Sequence, residues 1–158
     1  MMAERSGTII LVGSLSGRVA TPTYSIYAAT KFGLVGFAEA LRREVSVWGI
    51  HVALLMPGAV DTKLGAESVA RRRTGFRTPR RWLLQPEQVA DAVVRLAHAP
   101  RAILVIPWWM RPATWLARRA PGLVDWLTER YFVRPERADD LAGPDSAPGV
   151  GDTAERSQ

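Results

Sequence analysis

The sequence predicts an α/β fold in which a small parallel sheet is flanked by helices. Three short apolar runs, at 8–12, 50–56 and 102–106, have the β-branched and aliphatic composition of strands that are buried on both faces of a sheet. Segments with helical periodicity separate these runs. Because strands that alternate with helices pair in parallel through right-handed crossovers, we expect one parallel sheet of about three strands.

The longest helix is predicted from about Tyr24 to Trp48, between the first two strands. Gly49 follows it at a position where the end of a helix favours a positive φ. Gly33 and Gly36 each cost up to ~1 kcal/mol of helix propensity relative to alanine, so we expect the backbone there to approach another helix or a ligand closely. The apolar stripe that would face the sheet recurs every three or four residues: Leu34, Ala38, Leu41, Val45 and Trp48.

A second helix is predicted from Pro86 to His98, because proline is favoured at the first helical position and Glu87 lies beside it. Residues 59–84, which precede this helix, have weak periodicity and six arginines. We interpret them as a mobile flap over a cleft, with a short helix near 64–73. The arginines are either solvated or in contact with an anionic substrate or a cofactor phosphate.

Residues 107–134 form an amphipathic, aromatic and arginine-rich extension that follows the α/β unit at 1–106. Pro121 and Gly122 divide this extension into two short helices. Its composition indicates either a lid over a substrate cleft or a segment that lies on a membrane surface. Residues 135–158 are rich in Pro, Gly, Ser, Asp and Ala, so we expect a disordered tail.

The composition restricts the class of protein. The net charge of +6 comes almost entirely from arginine and no nucleic-acid-binding motif accompanies it, so we attribute it to amino-acid usage and expect no nucleic-acid partner. There is no cysteine, hence no disulfide and no thiolate metal site, and we predict no metal. No apolar run reaches the ~18 residues of a spanning helix. This predicts a cytoplasmic protein whose membrane contact, if it has one, is peripheral.

The strongest functional signal lies between Gly13 and Phe37. Ser14 follows the first strand directly, and Tyr27 and Lys31 are four residues apart, which places them one above the other on one face of a helix. A hydroxyl at a strand end, a phenol and an ammonium would then converge on one cleft. Together these groups could move a proton to or from an alcohol or carbonyl oxygen.

These residues, with a third motif, resemble the C-terminal half of a short-chain dehydrogenase/reductase. The similarity rests on Ser14 after a buried strand, on Tyr-Ala-Ala-Thr-Lys at 27–31, and on Pro-Gly-Ala-Val-Asp-Thr at 57–62. It covers roughly residues 7–106. The resemblance implies that the sheet is half of a Rossmann-like, doubly wound parallel sheet. It also implies hydride transfer between NAD or NADP and a small alcohol or carbonyl compound.

The resemblance implies a role for each motif residue. Tyr27 would be the general acid/base, Lys31 would stabilise its phenolate and hold the ribose hydroxyls of the cofactor, and Ser14 would polarise the substrate oxygen. An ammonium about 4 Å from a phenolate stabilises it by up to ~4 kcal/mol at an effective dielectric constant near 20. Besides Tyr27 and Lys31, the residues that would contact the cofactor follow the second strand: Pro57, Gly58, Val60 and Thr62.

Several of these residues also have a purely structural interpretation. Ser14 could cap the end of a strand, Thr62 could cap a short helix, and Tyr27 could be an ordinary interface tyrosine. We interpret His51 as a surface residue and His98 as a favourable charge at a helix C-terminus, so neither histidine is assigned to catalysis.

The family's first half has no counterpart in this sequence. No glycine-rich turn of the form Thr-Gly-x-x-x-Gly-x-Gly is present to bind a pyrophosphate at a helix N-terminus, and the Asn-Asn-Ala-Gly segment is also missing. We therefore expect the chain to be an incomplete fragment with no turnover by itself. The alternatives are a non-catalytic dimerisation or interaction module derived from the family, or a peripheral membrane protein held by residues 107–134. For the full-length parent we expect a homo-oligomer, and the aromatic extension favours a lipophilic alcohol or ketone as substrate.

Overall fold

Three parallel strands form the sheet, in the order β1, β2, β3, in a computed structural model that describes residues 1–70, 78–134 and 137. Both strand pairs are parallel, and β2 lies in the middle. The predicted fold class and the parallel pairing are therefore confirmed. The strands are β1 (Gly7–Val12), β2 (Ile50–Pro57) and β3 (Ile103–Ile106).

Five α-helices occur among the described residues, and the predicted break of the C-terminal extension lies where α5 begins, at Pro121. The helices are α1 (Ser25–Val45), α2 (Lys63–Ala70), α3 (Pro86–His98), α4 (Arg111–Arg119) and α5 (Pro121–Thr128). Shorter helical turns adjoin them: 3-10 turns at Leu15–Gly17, Ser46–Trp48, Arg80–Trp82 and Trp108–Met110, and a π-helical turn at Glu129–Val133.

Local sequence signals set the start of α3 and the chain reversal after α1. Pro86 occupies the first position of α3, and the Gln88 side chain accepts a hydrogen bond from the Gln85 amide at 2.8 Å. After α1 and its 3-10 turn, Gly49 has a φ of 67°. A Cβ on Gly49 would lie 2.6 Å from the carbonyl oxygen of Arg5, so glycine is required there by space as well as by conformation.

The core is centred on β2. Successive side chains of a strand point to opposite faces of the sheet. Val52, Leu54 and Met56 pack against the side chains of α1, whereas Ala53 and Leu55 pack against those of α3. Each large buried side chain contributes roughly 1.5–3 kcal/mol. The predicted burial of this strand on both faces is confirmed.

β1 is less buried than the sequence predicts. Its first five residues are half-buried, and Val12 is 47% exposed. Ile9 and Leu11 pack towards α1 and Ile10 packs towards α3. Among the described residues, however, β1 has a neighbouring strand on one side only. The prediction that β1 is buried on both faces is therefore wrong for this structure, because a strand with one neighbour keeps part of its surface in solvent.

α1 packs on the sheet through the predicted stripe, and Val35 joins it. The opposite side of the helix is open, since a Cβ on Gly33 or Gly36 would meet no heavy atom within 4 Å. The close approach that we expected at these two glycines is therefore not made within the described part of the chain. The stripe residues that are buried or half-buried are Leu34, Ala38, Leu41, Val45 and Trp48.

Some predictions concern residues outside the described ranges. These are the flap arginines at 71–73 and 77 and, apart from residue 137, the tail at 135–158. The predicted short helix of the flap corresponds to α2. Within 1–70 and 78–134, no helix combines the length and the apolar character needed to cross a bilayer.

Candidate active site

The predicted site residues lie at the carboxyl ends of β1 and β2 and on the N-terminal part of α1. Ser14 lies two residues beyond β1, and Tyr27 and Lys31 occupy successive turns of α1. Pro57 ends β2, and Gly58 follows it. Because β1 and β2 are parallel neighbours, their carboxyl ends lie at the same edge of the sheet. This edge is where open α/β sheets bind their ligands.

Ser14 has an extended backbone and caps the short 3-10 turn that follows β1. Its φ and ψ are −166° and 159°, and its Oγ accepts a hydrogen bond from the Ser16 amide at 3.2 Å. This contact uses the hydroxyl as an acceptor only. The hydroxyl hydrogen can therefore still be donated to a substrate oxygen.

The side chain of Lys31 contacts both the end of β1 and the ring of Tyr27. Its Nζ donates to the carbonyl oxygen of Val12 at 3.4 Å and lies 5.6 Å from the centroid of the tyrosine ring. The second distance is within the range of a cation–π interaction. Tyr27 is 41% exposed and makes an edge-to-face contact with the ring of Tyr24. The ammonium of Lys31 is therefore in contact both with Tyr27 and with the strand that precedes Ser14.

Two contacts that the sequence analysis missed hold the Ser14 loop against α1. A Cβ on Gly17 would lie 2.7 Å from the carbonyl oxygen of Lys31, so the loop backbone rests directly on the helix backbone. The next residue, Arg18, forms a half-buried ion pair with Glu39 on α1. For the contact of Gly17 with Lys31, the only sequence signal was a glycine in a loop just before a helix. No sequence signal indicated the ion pair of Arg18 with Glu39.

Gly58, which follows β2, is closely packed against neighbouring residues. Its amide donates to the carbonyl oxygen of Ile106 at 2.7 Å. A Cβ at this position would lie 3.2 Å from Sδ of Met110 and 3.4 Å from side-chain carbons of Leu15 and Pro107. These neighbouring side chains therefore already fill the space beside Gly58 and leave little room for a side chain at this position.

The segment after β2 closes on itself before α2 begins. Val60 forms a parallel bridge with Leu84, and the amide of Asp61 donates to the Leu84 carbonyl oxygen at 2.8 Å. Oγ1 of Thr62 accepts a hydrogen bond from the Gly65 amide at 3.0 Å. Thr62 therefore caps α2, as one of its two interpretations predicted. Its hydroxyl hydrogen can still be donated to a ligand.

Aromatic contacts join the end of the flap to the C-terminal extension. The ring centroids of Trp82 and Trp109 are 5.6 Å apart, with the ring planes tilted by 60°. The guanidinium of Arg81 lies 5.6 Å from the centroid of the Trp82 ring. These contacts place the first turn of the extension beside the end of the flap at Trp82.

The site is open to solvent in the part of the chain that the structure describes. No polar or charged residue in that part is buried. His51 is exposed, as the sequence predicted, and His98 is the last residue of α3, as also predicted. Within the same residues, no three side chains of His, Cys, Asp or Glu lie close enough together to hold a metal ion.

Comparisons with known proteins point to one protein family. A family model described as short chain dehydrogenase matches residues 1–73. The 3-oxoacyl-(acyl-carrier-protein) reductase of Vibrio harveyi is 36% identical to this chain over 106 residues, which are 66% of this chain and 43% of that protein. The chain spans less than half the length of the curated relatives it matches.

Two solved structures have a similar fold. A short chain dehydrogenase from Burkholderia cenocepacia J2315, in complex with NADP, has a TM-score of 0.63 at 19% identity, and the match covers 78% of this chain and 47% of that chain. A 3-oxoacyl-(acyl-carrier protein) reductase from Brucella melitensis, with bound NAD, has a TM-score of 0.51 at 28% identity. That match covers 67% of this chain and 41% of the Brucella protein.

Proposed function

We propose that this chain, which belongs to the short-chain dehydrogenase/reductase family, supplies the catalytic half of a nicotinamide-dependent oxidoreductase. The reaction would be hydride transfer between NAD or NADP and an alcohol or carbonyl compound. The observation that carries the proposal is the position of Lys31, whose Nζ contacts both the end of β1 and the ring of Tyr27. A phenol, an ammonium and the hydroxyl of the adjoining Ser14 loop are suitable groups for the accompanying proton transfer.

The residues at the end of β2 fit the nicotinamide end of the cofactor. Gly58 has no side chain of its own, and side-chain atoms of Met110, Leu15 and Pro107 pack against it, so this turn would offer the flat ring an apolar wall. The Thr62 hydroxyl and the Lys31 ammonium remain able to donate hydrogen bonds, the latter to ribose hydroxyls. When bound, the nicotinamide gives or takes the hydride. The residues that we propose to contact it are Tyr27, Lys31, Pro57, Gly58, Val60 and Thr62.

Tyr27 would transfer the proton. In the direction of reduction its Oη protonates the substrate oxygen, and in the direction of oxidation it accepts that proton again. Oγ of Ser14 donates a hydrogen bond to the same oxygen and polarises the carbonyl group. Lys31 stabilises the phenolate by Coulombic attraction. A positioned acid or base of this kind typically contributes about 10²- to 10⁴-fold to the rate.

We propose that the substrate is a lipophilic alcohol or ketone. The paired rings of Trp82 and Trp109 provide an apolar wall where the flap meets the extension. Met110 and Leu15 add apolar atoms beside Gly58. Burial of apolar substrate surface against such walls is favourable by roughly 25 cal/mol per Å². The Vibrio harveyi relative is named as the reductase of a 3-oxoacyl group.

We also propose that the full-length protein is a homo-oligomer that uses the outer side of α1. Ile26 is 82% exposed and Phe37 is 54% exposed on this helix. The space above Gly33 and Gly36 is open, so a second helix could approach the backbone there. A contiguous apolar helix face in solvent favours contact with a partner.

A fusion protein tests the proposed chemistry. The N-terminal half of the Vibrio harveyi reductase is joined to this chain, and oxidation of NADH and NADPH is followed with lipophilic ketones. We expect turnover that Tyr27→Phe lowers by about 100-fold or more. The matched control is Tyr131→Phe, since Tyr131 is exposed on the π-helical turn and has no proposed role. A folded fusion that binds cofactor without turnover, or that responds equally to both changes, would refute the catalytic assignment.

A further inference from the structure

Two tryptophans and two arginines alternate along one side of α4 and of the 3-10 turn before it. Trp108, Arg111, Trp115 and Arg119 are separated by three, four and four residues, so they share one helical face. All four are exposed, Trp108 by 76% and Trp115 by 61%. The guanidinium of Arg119 lies 5.8 Å from the centroid of the Trp115 ring. We call these four residues the tryptophan–arginine face.

An apolar groove adjoins the tryptophan–arginine face. It has a volume of about 560 Å³ and runs between β3 and α4. Ile103 and Val105 line it from the strand, and Trp108 and Trp115 line it from the helix. Arg111 is the charged residue of the lining. The groove therefore suits an amphiphile that has an apolar chain and an anionic head.

The segment that carries this face is only loosely packed on the rest of the chain. None of the residues in α4, in α5 or in the π-helical turn is buried. An amphipathic helix that packs only on the core of its own chain buries its apolar stripe there. The tryptophans of α4 and of the turn before it, in contrast, remain exposed to solvent. Residues 108–119, which carry the face, contain three arginines and no acidic residue. An exposed aromatic surface whose charged residues are all cationic favours a partner that is both apolar and anionic.

We propose that the tryptophan–arginine face binds the surface of an anionic lipid bilayer, with α4 lying in the plane of the interface. Indole rings favour the boundary between headgroups and acyl chains. The two arginines are attracted to anionic headgroups, and the groove accepts part of an acyl chain. The proposed contact is with the surface of the bilayer, and the described helices are too short or too polar to span it.

A second copy of the chain fits the same face less well. A two-fold symmetric contact brings a surface patch against its own copy. Arg111 and Arg119 would then approach two further arginines, with no acidic residue on the face to compensate. Like charges that approach each other in a partly desolvated contact are unfavourable. Lipid phosphates provide the compensating charge that a second copy lacks.

Vesicle binding by the full chain tests this proposal. Phosphatidylcholine vesicles that contain phosphatidylglycerol are compared with vesicles of phosphatidylcholine alone, by co-sedimentation at low and high salt. We expect binding to the anionic vesicles that weakens as salt is raised, and quenching of tryptophan fluorescence by brominated acyl chains. The double change Arg111→Gln with Arg119→Gln should lower the partition coefficient by about tenfold or more.

Matched control variants distinguish binding through the tryptophan–arginine face from nonspecific attraction of a positively charged protein to anionic vesicles. Arg43→Gln with Arg95→Gln removes the same charge from exposed positions on α1 and α3 and should change the partition coefficient by less than about twofold. Trp108→Ala with Trp115→Ala should reduce binding and quenching, whereas Val47→Ala with Val94→Ala should not. The proposal would be overturned if both arginine double variants lost vesicle binding equally, or if lipid quenched no tryptophan fluorescence in the unchanged chain. It would also be overturned if the chain formed a dimer that the tryptophan changes dissociated. None of these readouts needs cofactor or turnover, so failure here leaves the proposed oxidoreductase untouched.

Discussion

A Cβ on Gly17 would lie only 2.7 Å from the main-chain carbonyl oxygen of Lys31. The loop that begins at Ser14 is therefore seated on the turn of α1 that carries the proposed catalytic ammonium. One residue later, the ion pair of Arg18 with Glu39 attaches the same loop to α1 a second time. The relative position of the serine hydroxyl and the ammonium thus depends on these two contacts between the loop and the helix.

We expect Gly17→Ala to lower the free energy of unfolding by about 1–3 kcal/mol, because the added methyl group presses against backbone that cannot rotate away. Gly36→Ala is the matched control. Gly36 lies inside α1 with open space around it, so alanine there should raise the free energy of unfolding by about 0.5–1 kcal/mol. Urea denaturation followed by circular dichroism measures both changes. A neutral or stabilising effect of Gly17→Ala would contradict the close packing of the loop.

The Arg18–Glu39 pair should show a coupling energy of about 1 kcal/mol in a double-mutant cycle with glutamine at both positions. Its side chains are 16% and 31% exposed, so water and salt screen it only in part. The pair of Glu129 with Arg134 is the control, because its side chains are 56% and 61% exposed. We expect less than about 0.5 kcal/mol for that pair. Similar coupling energies in the two cycles would mean that Arg18 does not help to hold the Ser14 loop.

The secondary structure was predictable because its signals act over a few residues. α3 begins at Pro86 and ends at His98, as the proline and the apolar periodicity predicted. Gly49 reverses the chain after α1 with a positive φ, and α5 begins at Pro121. The motif residues proposed for the site were also chosen from local signals, namely their positions after predicted strands and on the predicted helix; their roles stay a prediction.

Contacts between elements were harder to predict. The close approach of Gly17 to Lys31 was not predicted, because it depends on how the loop packs on a separate helix. The burial of β1 was overestimated, because an apolar run does not reveal how many strands lie beside it. The partners Arg18 and Glu39 are far apart in the sequence and belong to no motif. Packing of this kind depends on tertiary structure, so local patterns carry little information about it.

Phe37→Glu should dissociate the proposed oligomer of the fusion protein, because it places a charge in the apolar outer side of α1. Phe37 is 54% exposed in the single chain, so the change should leave the free energy of unfolding of the monomer nearly unaltered. Val94→Glu is the control, since Val94 is 55% exposed on α3. Sedimentation velocity measures the oligomeric state of both variants. An oligomer that persists in Phe37→Glu, or that is lost equally in Val94→Glu, would exclude α1 as the main contact.

We expect the chain alone to bind NAD and NADP with a Kd weaker than about 1 mM, which corresponds to less than about 4 kcal/mol of binding free energy. The residues proposed to contact cofactor, such as Lys31, Gly58 and Thr62, reach only its nicotinamide end. The sequence has no glycine-rich turn for the pyrophosphate. Isothermal titration calorimetry of the chain and of the fusion protein measures the difference. The fusion should bind in the micromolar range, and Lys31→Met should weaken that binding. A micromolar Kd for the chain by itself would show that residues 1–158 already contain a dinucleotide site that the motifs do not reveal.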